Sequence, residues 1–352
     1  MKFIQADTLK QKPDFNHLNF GENFTDYMLT MEWEDGVWHE PVIEPLHNFE
    51  CSPAMLVFHS GQGIFEGCKA YKNEKGEISL FRTKDNLIRM NKSAERMCMP
   101  QFDVDVVFEA IKELIKVEKD WIPTEPGTSL YIRPTMIATQ PVLGVRVSRT
   151  FKFFVILSPV SKYHPAEDGN LPALYVEDHL VRAAVGGTGE AKCLGNYGAS
   201  FYAFAKAKAN GYQDILWLDA CEHKYIEEVG TMNVMFVIDG VVVTPAINGS
   251  ILQGITRNSV LQVLKQFDYK FEERRVSIDE VMQAAKEGRL TECFGVGTAA
   301  VISPVGSIAY EGNEYVINNK FIGPVSKFLK DRITGIQSKK YPDDFGWVID
   351  VE

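Results

Sequence analysis

The sequence predicts a mixed α/β (α+β) protein in two lobes, on three observations. Its 352 residues are enough for about two domains, each with its own core. Strand-like and helix-like patterns interleave along the whole chain instead of segregating. One turn-rich stretch, SKYHPAEDGNLP, crowds Pro, Gly, Asn and Asp between Ser161 and Leu171 and separates the two patterned halves.

Taken in order, the first half reads as strands SLFR and SLYIRP flanking two helices. The second helix is the clearer: Val107, Ile111, Leu114 and Ile115 recur at helical spacing after a cap at Asp103 or Asp105. The apolar run FKFFVILSPV before the boundary reads as a buried strand. Beyond the boundary DILWLD reads as a strand. MFVIDGVVVTP reads as a hairpin, because Asp239-Gly240 suits the positive backbone angles of a type I′ turn. Val260, Leu261 and Leu264 share a face of a helix running from near Thr256 to about Phe267. A further helix starts at Ser277, where Ser277 and Glu280 form a capping box, and ends near Gly288.

Composition narrows the function. Hydrophobic residues make up 45% and charged residues 24%, the balance of a globular chain. No run approaches the roughly 20 apolar residues of a spanning helix, and MKFIQADTLKQKPD lacks the apolar core of a secretory signal, so a cytoplasmic protein is expected. Asp and Glu outnumber Lys and Arg by 47 to 37, and Glu273-Arg274-Arg275 and Lys339-Lys340 are too short to make a basic stripe, which disfavours nucleic acid as a partner. The six cysteines stand singly, with no CxxC pair and no zinc-site spacing, so reduced thiols and no metal are expected. Cys193, beside Lys192, reads as a small half-buried neighbour.

The most unusual segment is GGTGEAKCLGNYGAS, Gly186 to Ser200, with five glycines around one lysine and one tyrosine. Glycine lets backbone approach a ligand, and Lys192 stands among little side-chain bulk. Ala191 and Cys193 flank it where a phosphate-binding P-loop needs Gly and Ser or Thr, so that reading fails. A lysine that sheds its proton is instead a nucleophile able to join an aldehyde. In YIEEVGTMNVMFV one acid of the pair Glu227 and Glu228 can point inward, where a carboxylate needs a cationic partner. The local pattern does not choose between them. In SILQGITRNSVL the residues Gly254-Ile255-Thr256 open a helix whose free N–H groups favour a phosphate, although Thr256 can equally be a plain N-cap. FGVGTAAVISPVG offers a second glycine turn with a hydroxyl at Thr298. The same stretch matches the dinucleotide pattern G-x-G-x-x-A at Gly295, Gly297 and Ala300, which supplies a nicotinamide-dependent dehydrogenase as the rival reading. That pattern requires a helix, whereas VISPVG reads as strand and turn.

Together, FTDYMLTMEW, FEGCKAY, LYIRP, the Lys192 segment, EEVGTMN and FGVGTAA, in this order, resemble the branched-chain amino-acid aminotransferases, pyridoxal-phosphate enzymes of fold type IV. The resemblance covers nearly the whole chain. D-amino-acid aminotransferases and aminodeoxychorismate lyases share the scaffold and are the nearest alternatives. The resemblance implies a smaller N-terminal α/β domain over residues 1–165, a connection over 166–186, and a larger cofactor-binding domain with a pseudo-barrel sheet over 187–352.

It also implies roles. Lys192 would hold pyridoxal 5′-phosphate as an internal aldimine and shuttle the substrate proton, Tyr197 would meet the cofactor's phenolic oxygen, and Glu228 would pair with its pyridine nitrogen. Arg89 in DNLIRM, which from its own surroundings reads as an exposed helix charge, would bind the phosphate with Ile255, Thr256 and Thr298. Phe24, Phe65, Tyr131 and Val145 would line the substrate pocket. Thr231, Thr298 and Ala299 would receive the α-carboxylate, and Arg133 would lie near the substrate side chain. The implied reaction passes the amino group of leucine, isoleucine or valine to 2-oxoglutarate in a homodimer. Two departures stand out. Ser60 in FHSGQGIFEG replaces a tyrosine near the substrate carboxylate, which would enlarge the pocket or admit water. Ala300 and Ser303 stand where some animal members carry a CxxC pair.

Overall fold

A computed structural model describes residues 1–161 and 169–351. Most of the turn-rich boundary expected between Ser161 and Leu171 lies outside the described residues. The chain forms two compact units, one of Met1–Tyr163, Ala191–Leu194 and Gly335–Glu352, the other of His164–Glu190 and Gly195–Thr334.

In chain order the elements begin with β1 (Lys2–Phe3), β2 (Tyr27–Glu34), β3 (Val37–Trp38), β4 (Val42–Pro45), α1 (Leu56–Ser60), β5 (Gly63–Phe65), β6 (Cys68–Lys72) and β7 (Ile78–Phe81). Then follow α2 (Thr83–Arg96), α3 (Val104–Val117), β8 (Ser129–Ala138), β9 (Phe151–Val160), β10 (Ala173–Glu177), α4 (Leu194–Gly198) and α5 (Phe201–Ala209). Next come β11 (Asp214–Leu218), β12 (Ile226–Val229), β13 (Met232–Ile238), β14 (Val241–Pro245), α6 (Ile255–Gln266), β15 (Phe271–Arg274) and α7 (Ile278–Lys286). The chain closes with β16 (Leu290–Gly297), β17 (Val301–Pro304), β18 (Ser307–Tyr310), β19 (Asn313–Val316), α8 (Pro324–Gln337) and β20 (Val348–Asp350).

The first unit is built on one sheet in the order β1-β4-β2-β9-β8-β6-β7-β20, with β3 added to β2 and β5 to β8. Alternation along a strand sends successive side chains to opposite faces. Leu130, Ile132 and Met136 of β8 therefore enter a core shared with Leu87, Met90 and Ala94 of α2 and with Val107, Ile111, Leu114 and Ile115 of α3. Of the two acids that could cap α3, Asp103 does so, accepting the N–H groups of Asp105 at 2.9 Å and Val106 at 3.1 Å. Both helices and both flanking strands agree with the sequence pattern.

The second unit is built on another sheet, ordered β15-β14-β13-β12-β11-β10-β18-β19, with β16 pairing β13 and β17. The hairpin of β13 and β14 turns at Asp239 (φ 52°) and Gly240 (φ 76°), the two positive angles that a type I′ turn requires. Ser277 caps α7 by accepting the Glu280 N–H at 3.1 Å. The expected box is only half formed, because the Glu280 carboxylate is taken instead by the Arg274 guanidinium. Buried Glu292 accepts the N–H groups of Val325 and Ser326, each at 2.8 Å, and so closes the first turn of α8.

After Gly297 the chain makes a turn over residues 298–300 and enters β17, antiparallel to β16. No helix follows the G-x-G-x-x-A pattern, so the dinucleotide reading fails for want of a helix N-terminus to receive the pyrophosphate. Among the described residues no helix is long and apolar enough to cross a membrane.

Candidate active site

Within the first unit, the face of the sheet opposite the helices collects the predicted residues by register alone. Lys69 pairs with Tyr131 across β6 and β8, and Phe65 pairs with Thr135 across β5 and β8. Side chains directly opposite share a face, and positions 131, 133 and 135 alternate onto that same face. The Lys192 segment joins this sheet at its edge. Cys193 bridges to Ile64, the Lys192 carbonyl accepts the Phe65 N–H at 3.0 Å, and the Lys192 N–H donates to Ser93 Oγ at 2.9 Å. A Cβ at Gly63 would lie 2.6 Å from the Leu194 side chain, which would have to shift to make room, so glycine there lets the segment approach closely.

Lys192 is therefore held by backbone on both sides, and its Nζ lies 4.9 Å from the centre of the Phe65 ring. The Arg133 guanidinium lies 4.8 Å from the same ring and 5.2 Å from that of Tyr131, and it donates to the Tyr131 hydroxyl at 3.2 Å. Arg89 is not the exposed helix charge that its own surroundings suggest. It is buried on α2 and forks onto Glu66, Nε to Oε1 at 2.7 Å and Nη2 to Oε2 at 2.9 Å. Burial acts to raise the Glu66 pKa, but the Arg89 and Lys192 charges and the Asn86 hydrogen bond outweigh it and hold the carboxyl below its usual range. Lys69, on the same face, is also buried, and burial pushes its ammonium down to about 8.

In the second unit the turn at Gly230-Thr231 and the turn over 298–300 are neighbours, because β13 and β16 pair with Asn233 opposite Val296. Glu228 pairs with Asn233 one step inward on β12. Both acids of the pair are buried, Glu227 at 2% and Glu228 at 3% exposure, so the inward direction expected for one applies to both. Their partners differ. The Glu228 Oε1 accepts the Leu252 N–H at 2.8 Å and ion-pairs with Arg182 Nη2 at 3.3 Å. Glu227 accepts hydrogen bonds from Ser250 Oγ and Asn248, and burial drives its pKa up despite them.

One chain of contacts carries Glu228 to the start of α6. Asn233 Nδ2 donates to the Leu252 carbonyl at 3.0 Å, and a Cβ at Gly254 would collide with Asn233 Oδ1. Gly254 is the N-cap of α6 and has no side chain to offer to the N–H groups of the first turn, which begins at Ile255 and buried Thr256. Gly189 plays the corresponding part nearby: a Cβ there would strike the Ser250 carbonyl, and the Arg182 guanidinium donates to that carbonyl too. Of the five glycines of the 186–200 segment, Gly187 and Gly189 thus stand against backbone, while a Cβ at Gly186, Gly195 or Gly198 would meet open space.

The remaining predicted residues are more open. Phe24 is 36% exposed and Val145 is 99% exposed at the tip of the loop between β8 and β9. Thr231 is exposed, and Tyr197, Thr298 and Ala299 are half-buried. The ring edge-on to Tyr131, at 4.9 Å, is that of Phe20, which the sequence reading did not single out. Glu66 and Arg182 were missed as well. A glutamate between Phe65 and Gly67 was a readable hint, whereas Arg182 lies ten residues before Lys192 with no local pattern to mark it. Ser60 ends α1 and donates to the Leu56 carbonyl at 2.8 Å, its hydroxyl spent within its own turn. Cys193 is buried in the core, and is thus a packing residue.

Comparison with known proteins identifies the family. The family model for amino-transferase class IV matches residues 63–308. A probable branched-chain-amino-acid aminotransferase of Staphylococcus epidermidis is 51% identical over 352 residues, covering 100% of this chain and 98% of that protein. Branched-chain-amino-acid transaminase 1 of Bacillus subtilis is 49% identical over 343 residues, covering 97% and 96%. Among solved structures, the Escherichia coli branched-chain amino acid aminotransferase superposes with a TM-score of 0.76 at 26% identity, covering 93% of this chain and 99% of that one. The branched-chain amino acid aminotransferase from Thermobaculum terrenum, in its PLP-bound holo-form, gives 0.75 at 25%, covering 93% and 98%. With half of its residues shared over its full length, the chain belongs to the class IV aminotransferases and, within them, to the branched-chain-amino-acid aminotransferases.

Proposed function

We propose that this protein transfers the amino group of leucine, isoleucine or valine to 2-oxoglutarate, giving the branched-chain 2-oxo acid and glutamate, with pyridoxal 5′-phosphate as cofactor. The observation that carries the reading is the group of half-buried Lys192 and Phe65 with buried Glu66 and Arg89 inside the segment that matches the class IV family. The cofactor supplies an aldehyde for the amino group and a protonated ring that draws electrons from the substrate α-carbon.

The donor set suits such a group. A buried guanidinium and a glycine-capped helix N-terminus suit a phosphate, and a buried carboxylate suits a pyridinium nitrogen. Arg89, Ile255, Thr256 and Thr298 would hold the phosphate, Glu228 the ring nitrogen, Tyr197 the phenolic oxygen and Lys192 the aldehyde carbon, with Thr231 beside them. Lys192 would also take the proton from the substrate α-carbon. Its main chain is pinned at both N–H and C=O, so the side chain alone has to move. The α-carboxylate would meet Thr231, Thr298 and Ala299. Phe24, Phe65, Tyr131 and Val145 would surround the substrate side chain and exclude water.

One pocket has to accept both leucine and 2-oxoglutarate. Arg133 supports that double use, because its guanidinium is stacked against Phe65 and Tyr131 and so offers an apolar wall with a charged edge. The domain division expected at residues 165 and 186, a homodimer and a cytoplasmic location belong to the same reading. An absorbance spectrum before and after adding leucine alone tests it. The expected result is a yellow cofactor band that leucine bleaches, and Lys192→Ala should abolish both the band's response and turnover. A band in the Lys192→Ala protein that still responds to leucine at the native rate would overturn it.

A further inference from the structure

Arg89 and Lys192 share a neighbour that the proposed reaction leaves without a task. Glu66 is 0% exposed, in the bend between β5 and β6, and its own N–H is fixed to the Pro134 carbonyl of β8 at 2.8 Å. A buried carboxylate is tolerated only where donors saturate it. Here Oε1 accepts Arg89 Nε at 2.7 Å, while Oε2 accepts Arg89 Nη2 at 2.9 Å, Asn86 Nδ2 at 2.9 Å and the Gly67 N–H at 3.0 Å. Asn86 also donates to the Gly67 carbonyl at 3.3 Å, so the carboxylate is gripped from the helix and from its own bend.

A guanidinium is a rigid plane with two edges that can each make paired hydrogen bonds. Glu66 takes the Nε/Nη2 edge, and this fixes the plane and aims the Nη1/Nη2 edge in one direction. We propose that Glu66 is a positioning residue for cofactor binding: by clamping one edge of Arg89 it aims the other edge at the cofactor phosphate. This rests on the assignment of Arg89 to that phosphate. A glutamine at position 66 would keep one carbonyl acceptor but turn an NH₂ toward Arg89 or Asn86, donor against donor, and the clamp would open.

The test compares two ligands on the full chain freed of cofactor: pyridoxal 5′-phosphate and pyridoxal, which lacks the phosphate. The native protein should prefer the phosphorylated form strongly, and Arg89→Gln should lose most of that preference. Glu66→Gln should weaken pyridoxal 5′-phosphate by about tenfold or more, the scale of one charge-assisted hydrogen bond. It should change pyridoxal by less than about twofold, and the double variant should bind no worse than Arg89→Gln alone, since both changes remove the same interaction. Should Glu66→Gln not fold, Asn86→Ala releases one donor of Oε2 without unbalancing the buried charges and should produce a smaller loss with the same phosphate selectivity. If Glu66→Gln weakens both ligands equally, or adds in full to Arg89→Gln, Glu66 only supports the fold and the inference fails. If the native protein shows no preference, or Arg89→Gln keeps it, the assignment of Arg89 to the phosphate fails instead.

Discussion

Replacing Glu118 by glutamine should make the protein more stable at pH 8 and leave it nearly unchanged at pH 5. Glu118 ends α3 at 2% exposure, its carboxylate accepts the Tyr27 N–H, and it lies beside Asp26. The oxygens of Asp26 are themselves taken by the Lys10 N–H at 2.6 Å and Trp121 Nε1 at 2.7 Å, and the Lys10 ammonium is bound to the Thr25 carbonyl at 2.7 Å. Burial lifts the Glu118 carboxyl from 4.5 to about 7, with the Asp26 charge adding to the rise and hydrogen bonds from Tyr27, Thr25 and Asp26 opposing it. Between those two values the folded protein holds a proton that the unfolded chain has released. Stability therefore falls as pH rises through that window, and above about 7 the full penalty remains.

That rise corresponds to at most about 3 kcal/mol, and relaxation around the charge leaves roughly 2 kcal/mol. Glutamine keeps a carbonyl oxygen for the Tyr27 N–H and carries no charge at any of these pH values. Thermal melts of both proteins from pH 5 to 8.5 should show the variant's Tm rising above the native one by roughly 3 °C at the alkaline end. A Tm difference that stays constant with pH, or a native protein that is the more stable at pH 8, would refute the reasoning. The same anchor fixes the chain just after Phe24, a residue of the proposed substrate pocket.

Two further outcomes follow from the geometry. Arg133→Met should raise KM for 2-oxoglutarate by roughly 10- to 100-fold while moving KM for leucine by less than about threefold, since it keeps the apolar stem and removes the charge; equal changes for both substrates would remove Arg133 from the acceptor's recognition. Gly254→Ala should cost roughly 1–3 kcal/mol, because its Cβ must displace Asn233 and break the bond to the Leu252 carbonyl. It should weaken cofactor binding as well, and an unchanged Tm and cofactor titration would show that the start of α6 is not held in this way.

Some of this protein is legible in its sequence because the signals are local. The periodicity of α3, the cap at Asp103, the type I′ turn at Asp239-Gly240 and the start of α6 at Gly254-Ile255 each depend on residues a few positions apart, and the structure has them where the pattern put them. The glycine density around Lys192 is only partly explained by packing: Gly189 stands against the Ser250 carbonyl and Gly187 against that of Ala184, while Gly186, Gly195 and Gly198 face open space. The half-formed capping box marks the limit of this kind of reading: Ser277 behaves as its sequence predicts, while Glu280 is drawn away by Arg274 from β15.

What only the tertiary structure decided are the partners of charged groups. Arg89 reads as a solvent-facing helix residue until the bend between β5 and β6 sets Glu66 against it, 23 positions away. Glu227 and Glu228 look alike in the sequence, and the fold gives them different partners: Arg182 and the Leu252 N–H bond to Glu228, while Ser250 and Asn248 bond to Glu227. The placing of Ala191–Leu194 and of the last residues with the first unit could not be read from turn-forming residues either. Local backbone preference is written within a few residues, whereas a buried charge takes its meaning from whatever the folded chain brings within about 4 Å of it, and no spacing in the sequence encodes that distance.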